Sequence, residues 1–260
     1  MGGRGSRRGV RFAVGVVSIA LSAELFASPP LLAATSKSAP RIVSLTFDDG
    51  RASQGVVGGL LAAHKMHGTF YIITQAVNVG GAQPESLSWT QIHQLARGGN
   101  EIAAHTRTHP HLPTLSPAAQ TGEICGSRRD LVAQGFRPIS FAYPYGEYNA
   151  ATEHIVKQCR FASGRGAWGG PETKPPADRY GLRTLDNVTD TVAVADLEAQ
   201  VTNSAPGQWL QYVFHDIGDA YPGGDQYRIA TPSFTAFLDW LVHQRQAGTV
   251  VIKTIGDVLH

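Results

Sequence analysis

The chain has 260 residues, 42% hydrophobic and 16% charged, a balance that excludes a disordered polymer. Its 29 glycines and 15 prolines follow no period, and no longer unit recurs, which excludes collagen-like, low-complexity and solenoid architectures. The net charge of +2 sits at the start: removing residues 1–34, with Arg4, Arg7, Arg8, Arg11 and Glu24, leaves 18 basic and 19 acidic side chains, so nucleic acid is not an expected partner.

Residues 1–34 read as a secretory signal peptide: basic residues, an apolar run from Phe12 to about Ala23, then small residues suited to cleavage near Ala27 or Ala34. Ser6-Arg7-Arg8-Gly9-Val10-Arg11-Phe12 resembles a twin-arginine export signal. The run falls short of the ~20 residues of a membrane helix and Glu24 interrupts it, so no span is expected once the signal is removed. A retained amphipathic anchor is the alternative. The expected location is extracytoplasmic, secreted or associated with the cell wall. Residues 35–40 read as a linker and 41–260 as one domain, expected to be a monomer.

Arg41 to Phe47 reads as a buried strand ending at Asp48-Asp49-Gly50, and Val56, Val57, Leu60, Leu61 and His64 have helical spacing. Gly68 to Ile73 is a second strand, and Ser88-Trp89-Thr90-Gln91 reads as a capping box opening a helix that Gly98-Gly99 stops. Ile102 to Ala104 leads into His105, and Ser116-Pro117 starts a long helix ending at Gly135. Ile139 to Ala142 runs into Tyr143-Pro144-Tyr145-Gly146, followed by a helix over about 149–159 and a short strand at Phe161–Ser163. The Gly/Pro-rich stretch 165–179 reads as a loop. Beyond it come a strand over Tyr180–Leu185, a helix over Val194–Asn203, a strand over Trp209–Phe214 delivering His215, a helix over Phe234–Gln246 and a closing segment, Thr249–Ile255. Strands alternating with helices predict an α/β fold with a parallel sheet or barrel.

Cys125 and Cys159 are the only two cysteines. Both fall about eight or nine residues into helices that follow successive strands, and such helices run parallel in a barrel. At ~1.5 Å per residue the two sulfurs then lie at similar heights, which predicts a disulfide, with two buried free thiols as the alternative.

The chemistry-bearing residues follow the strands. Asp48 and Asp49 follow the first, His105 and His109 the third, Tyr143 to Gly146 the fourth, and His215 a late one. In a parallel barrel those ends share one face, where the strand-to-helix loops build an active site. Each piece alone is weak: Asp-Asp-Gly is a common turn, and a lone histidine is more often a core residue. Together, two imidazoles and one carboxylate leave a coordination position open, as in hydrolytic metal sites.

Thr46-Phe47-Asp48-Asp49-Gly50, His105-Thr106-Arg107-Thr108-His109, the Phe141-to-Gly146 turn and Val213-Phe214-His215 resemble, in order, the motifs of the polysaccharide deacetylases, carbohydrate esterase family four, related to the chitooligosaccharide deacetylases of nodulation. The resemblance spans about residues 41–256 and implies a distorted, seven-repeat (β/α) barrel. It implies that Asp49, His105 and His109 bind a divalent metal, usually zinc, with Asp48 as general base on the attacking water and His215 as general acid. The Tyr145 backbone N–H would join in stabilising the oxyanion. Many relatives carry an arginine in the strand-four motif that orients the base aspartate; Ala142 stands here instead, and Arg183 is the candidate substitute. No aspartate–tryptophan motif to orient His215 is evident; Asp186 and Asp190 are the candidates.

The expectation is an exported, metal-dependent deacetylase of N-acetylglucosamine-type glycans such as peptidoglycan, chitin oligomers or poly-N-acetylglucosamine, with an acetylated polysaccharide or oligosaccharide as partner. An O-acetyl esterase acting on xylan through the same site is one alternative, and a catalytically weak carbohydrate-binding homologue, suggested by Ala142, is the other. Trp168, Tyr148, Tyr221 and Tyr227 are read as loop aromatics that could stack on sugar rings, and His111 as a loop residue rather than a fourth ligand.

Overall fold

The computed structural model describes residues 1–3, 5–6, 9–16, 38–78, 85–219, 224 and 226–259. Most of the expected signal peptide and linker, and Tyr221, lie outside them. Met1–Ser36 and Lys37–His260 are separate compact units, and the described residues of the first carry no helix or strand.

The second unit begins with β1 (Arg41–Phe47), a short 3-10 turn (Ala52–Val56) and α1 (Val57–Ala63). Next come β2 (Thr69–Ile72), α2 (Trp89–Arg97), β3 (Glu101–Ala104), α3 (Pro117–Ala133), β4 (Ser140–Ala142) and α4 (Ala150–Gln158). β5 (Ser163–Gly169), β6 (Leu182–Thr184), α5 (Val194–Asn203) and β7 (Trp209–Phe214) follow. The chain ends with β8 (Asp216–Ile217), β9 (Arg228–Ile229), α6 (Thr231–Ala247), β10 (Val250–Ile252) and α7 (Ile255–Leu259).

Eight strands form one parallel sheet, in the order β10-β1-β2-β3-β4-β5-β6 with β7 also on β1. The Leu185 and Val188 N–H groups, just past β6, donate to the Gln211 and Val213 carbonyls of β7 at 3.0 and 2.9 Å. The sheet therefore curls back on itself as the expected distorted barrel. β8 and β9 form a separate two-stranded ribbon.

The period-two pattern of β1 explains its place. Val43, Leu45 and Phe47 are fully buried in the core between sheet and helices, where they meet Val57 and Leu61 of α1 and Phe234 of α6. Full burial of such a side chain contributes about 1.5–3 kcal/mol. Ser44 and Thr46 alternate with them and lose no hydrogen bond. Ser44 donates to the Lys253 carbonyl at 2.7 Å and accepts from the Trp209 indole at 2.9 Å, while Thr46 donates to the Tyr212 carbonyl at 2.7 Å.

Helix starts follow their caps. Ser88 and Gln91 form the expected capping box, and Ser116 and Asn149 accept from backbone N–H groups at the starts of α3 and α4. Cys125 and Cys159 are joined in a disulfide between α3 and the C-terminal cap of α4, across a separation of 34 residues. Closing a loop of that size in the unfolded chain is worth about 4 kcal/mol. One expectation needs correction: the strand after α4 begins at Ser163 and runs on to Gly169, through residues read as loop. The closing segment holds β10 and the start of α7.

Candidate active site

The six expected residues converge. Asp48, Asp49, His105, His109, Tyr145 and His215 all line one pocket of about 450 Å³ at the ends of the strands, together with Arg51, Trp168, Asn187 and Tyr227. The pairing of β1 with β7 accounts for two of them. Its register reaches Phe47 opposite Phe214, and the Asp48 N–H donates to the Phe214 carbonyl at 2.9 Å. Asp48 and His215 thus leave the sheet side by side. Gln54, fully buried in the turn after β1, clamps these ends by donating to the carbonyls of Asp48 at 2.5 Å and His215 at 2.9 Å.

The backbone is bent sharply around the pocket. Of seven non-glycine residues with positive φ among the described residues, four lie here: Asp49 (73°), Thr106 (64°), His109 (62°) and Tyr145 (56°). Such conformations are unfavourable for non-glycine residues and persist where surrounding contacts enforce them, often at functional sites. At Gly146 (φ 68°) a Cβ would come within 2.6 Å of the Trp168 ring, so a side chain there would collide with the pocket wall. The turn uses the Gly146 and Glu147 N–H groups, bonded to the Tyr143 and Pro144 carbonyls, and leaves that of Tyr145 out.

Asp49, His105 and His109 are the group of ligating side chains among the described residues that could hold a metal ion. The two imidazole Nε2 atoms lie 3.1 Å apart, and Asp49 Oδ1 lies 3.6 and 3.7 Å from them. Donors about 2.0–2.2 Å from a tetrahedral ion stand about 3.3–3.6 Å apart, so the triangle has the right size. Its chemistry agrees. The Ala142 carbonyl can only accept, so His105 Nδ1 carries the proton of their 2.9 Å bond, which in the neutral imidazole leaves Nε2 as the lone pair. Burial, reinforced by the neighbouring His105, lowers His109 to about 4, so His109 is neutral near pH 7. Two lone pairs then face each other beside Asp49 Oδ1, a buried oxygen without a hydrogen-bond partner. Burial raises the Asp49 carboxyl, but His215, His105, Arg51 and His109 outweigh it and hold it at about 2, ionised at neutral pH. A cation placed among them would satisfy all three donors.

Ala142 does not leave Asp48 without an arginine. Arg165 of β5 stands opposite Ala142 in the register of β4 with β5, is fully buried, and forms an ion pair with Asp48 Oδ1. Its guanidinium lies 4.3 Å from the centroid of the Tyr71 ring and donates to the Gly166 carbonyl at 2.9 Å. Ala103, Ala142, Leu182 and Tyr71 belong to one buried cluster inside the barrel, and the two alanines are its small members. The guanidinium that meets Asp48 thus comes from β5, the strand next to that of Ala142.

Arg183, the expected substitute, points elsewhere. It is exposed between buried Leu182 and Thr184, so the alternation of β6 turns it outward, and it pairs with Glu172 at 3.1 Å. Asp190 pairs with Arg228 at 2.7 Å and Asp186 is exposed, so neither is seen to orient His215, whose Nδ1 is buried without a hydrogen-bond partner. Burial lowers His215, and Asp49 and Asp48 oppose that shift. Trp168 belongs to β5 rather than a loop, and Tyr148 stacks on Tyr143 at 4.7 Å. Tyr227 lies beside the His215 ring. His111 stacks flat on Tyr145 at 3.9 Å and pairs with Glu147 at 2.8 Å.

Comparison with known proteins supplies relatives of the chain and of its fold. Residues 35–163 match the polysaccharide deacetylase family. Over 113 residues the chain is 30% identical to the peptidoglycan-N-acetylmuramic acid deacetylase PdaC of Bacillus subtilis, covering 42% of this chain and 22% of that protein. Over 115 residues it is 35% identical to a chitooligosaccharide deacetylase of Bradyrhizobium, covering 42% and 48%. The chain thus spans less than half the length of these relatives. The fold is shared with the Xyl-CE4 domain of a xylanase from the hindgut metagenome of Trinervitermes trinervoides (TM-score 0.59, 16% identity, 84% of this chain and 89% of that one). It is shared as well with a family 4 carbohydrate esterase from Streptomyces lividans (TM-score 0.58, 19% identity, 82% and 92%). The chain belongs to the polysaccharide deacetylase family.

Proposed function

We propose that this protein is an exported, metal-dependent deacetylase that hydrolyses N-acetyl groups of N-acetylglucosamine-type glycans to free amine and acetate. The observation that carries this reading is the position of Asp48. Its carboxylate is paired to a buried arginine, Asp48 shares one pocket with the three candidate metal ligands, and it sits beside His215 at the end of the neighbouring strand. An exported protein also accounts for the disulfide, which oxidising compartments permit.

Each residue then has a task. Asp49, His105 and His109 hold a divalent cation, and nitrogen and oxygen donors in this number suit zinc. When bound, zinc acidifies a coordinated water and polarises a carbonyl. Asp48 accepts the proton of the attacking water, while Arg165 keeps its carboxylate aimed into the pocket. The Tyr145 N–H donates to the acetyl oxygen as negative charge develops there, a contribution worth about 3 kcal/mol. His215 delivers a proton to the sugar nitrogen as the carbon–nitrogen bond breaks, because an unprotonated amine is a very poor leaving group. Trp168 and Tyr145, 53% and 48% exposed at the mouth, offer aromatic faces to sugar rings. Ala142 no longer speaks for a binding protein without turnover, since Arg165 supplies the missing guanidinium.

The proton delivered by His215 separates amide from ester chemistry, because an alkoxide leaves more readily than an amine. His215→Ala is expected to slow acetate release from N-acetylglucosamine oligomers by about 10²–10⁴-fold and release from acetylated xylan far less. Equal losses on both substrates would contradict the assignment of His215 as the acid.

A further inference from the structure

Arg51 follows Asp49-Gly50 at the turn after β1 and is 7% exposed. Its Nε and Nη2 both reach Asp49 Oδ2 at 3.0 Å, and its Nη1 reaches Asp216 Oδ2 at 2.5 Å. Asp216 directly follows His215 and accepts at its other oxygen from the Ser53 hydroxyl at 2.6 Å. A chain of contacts therefore runs from the ligand carboxylate through Arg51 to the residue beside His215, and back to the turn after β1.

We infer that Arg51 is a positioning residue for the cation site: it holds one oxygen of Asp49 so that the other is presented to the cation between His105 and His109. This rests on the metal-dependent reading above. A carboxylate rotates about its own axis and offers its two oxygens interchangeably unless one is held. Here the guanidinium fork engages Oδ2 twice, and Oδ1 is the buried oxygen left without a hydrogen-bond partner, facing the two imidazoles. A guanidinium is suited to this task because its donors lie in one rigid plane, whereas an ammonium is a point charge on a flexible stem. Asp216 and Ser53 hold the far side of the fork, which fixes the near side.

Substitutions that keep the charge separate positioning from simple electrostatics. Arg51→Lys retains the positive charge and loses the fork, and Ser53→Ala removes a neutral hydrogen bond that steadies Asp216. Zinc affinity, measured by chelator competition, is expected to fall about 10–100-fold in Arg51→Lys, the range for partners of metal ligands, and by a smaller factor in Ser53→Ala. The visible spectrum of the cobalt-loaded protein is expected to change in Arg51→Lys, a readout that a purely structural role would leave alone. Wild-type zinc affinity and an unchanged cobalt spectrum in a folded Arg51→Lys protein would overturn the inference. If Arg51→Lys fails to fold, unchanged zinc affinity in Ser53→Ala overturns it instead. A wild-type protein that binds no zinc would overturn the metal-dependent reading itself and this inference with it.

Discussion

Arg165→Met is expected to lower acetate turnover at least about 10²-fold, the low end of what a well-placed general base contributes, and to cost about 3–5 kcal/mol in stability. Both losses come from one interaction. The guanidinium is fully buried and paired with Asp48, so its removal leaves a carboxylate in the barrel without a counter-charge. It also removes the contact with Tyr71, whose hydroxyl has no hydrogen-bond partner and whose ionisation is pushed far up by burial. Methionine keeps much of the volume, so a cavity is not the cause. Denaturant titration reads the stability, and steady-state kinetics reads the turnover. The effect should fall on kcat more than on KM, because Arg165 reaches the substrate only through Asp48. A variant with normal kcat would remove Arg165 from the catalytic arrangement. Ala142→Arg, which restores the arginine of many relatives, should not help. It would set a second buried guanidinium opposite the first, with Asp48 already paired.

Asp48→Asn tests the base itself. The amide has nearly the carboxylate's shape but cannot take up the proton of water, so turnover is expected to fall about 10²–10⁴-fold. Zinc content should stay within error of wild type, because Asp49, His105 and His109 form the ligand triangle and Asp48 lies outside it. Loss of zinc together with activity would make Asp48 a ligand, and retained activity would sink its role as base.

Most of the fold could be read from the chain because its strands and caps follow simple periodicities. The alternation in β1, the Ser88/Gln91 capping box and the Pro117 helix start are local features, and each appears where expected. The candidate ligands and the two flanking residues could be read for another reason: strand ends in a parallel barrel must share a face, so Asp48, Asp49, His105, His109 and His215 had to meet. Arg165 was hidden by its neighbours. Gly164, Gly166, Gly169 and Gly170 make the segment read as a loop, yet two of these glycines are required by packing. A Cβ on Gly164 would lie 2.5 Å from the Tyr143 hydroxyl, and one on Gly169 would lie 2.9 Å from Arg183. The available clue was a lone arginine between glycines just after Ser163, one strand beyond the position where an arginine was missing. Arg51, Gln54 and Asp216 act through contacts between turns, which no spacing rule reports.

Acetate release is the direct readout of metal-dependent removal of acetyl groups from an N-acetylated glycan. Purified protein would be assayed zinc-loaded, chelated and zinc-restored, on N-acetylglucosamine oligomers and on acetylated xylan in parallel. Release from the oligomers is expected to stop on chelation and to return with zinc. Release that survives chelation, or that occurs from xylan alone, would contradict that expectation.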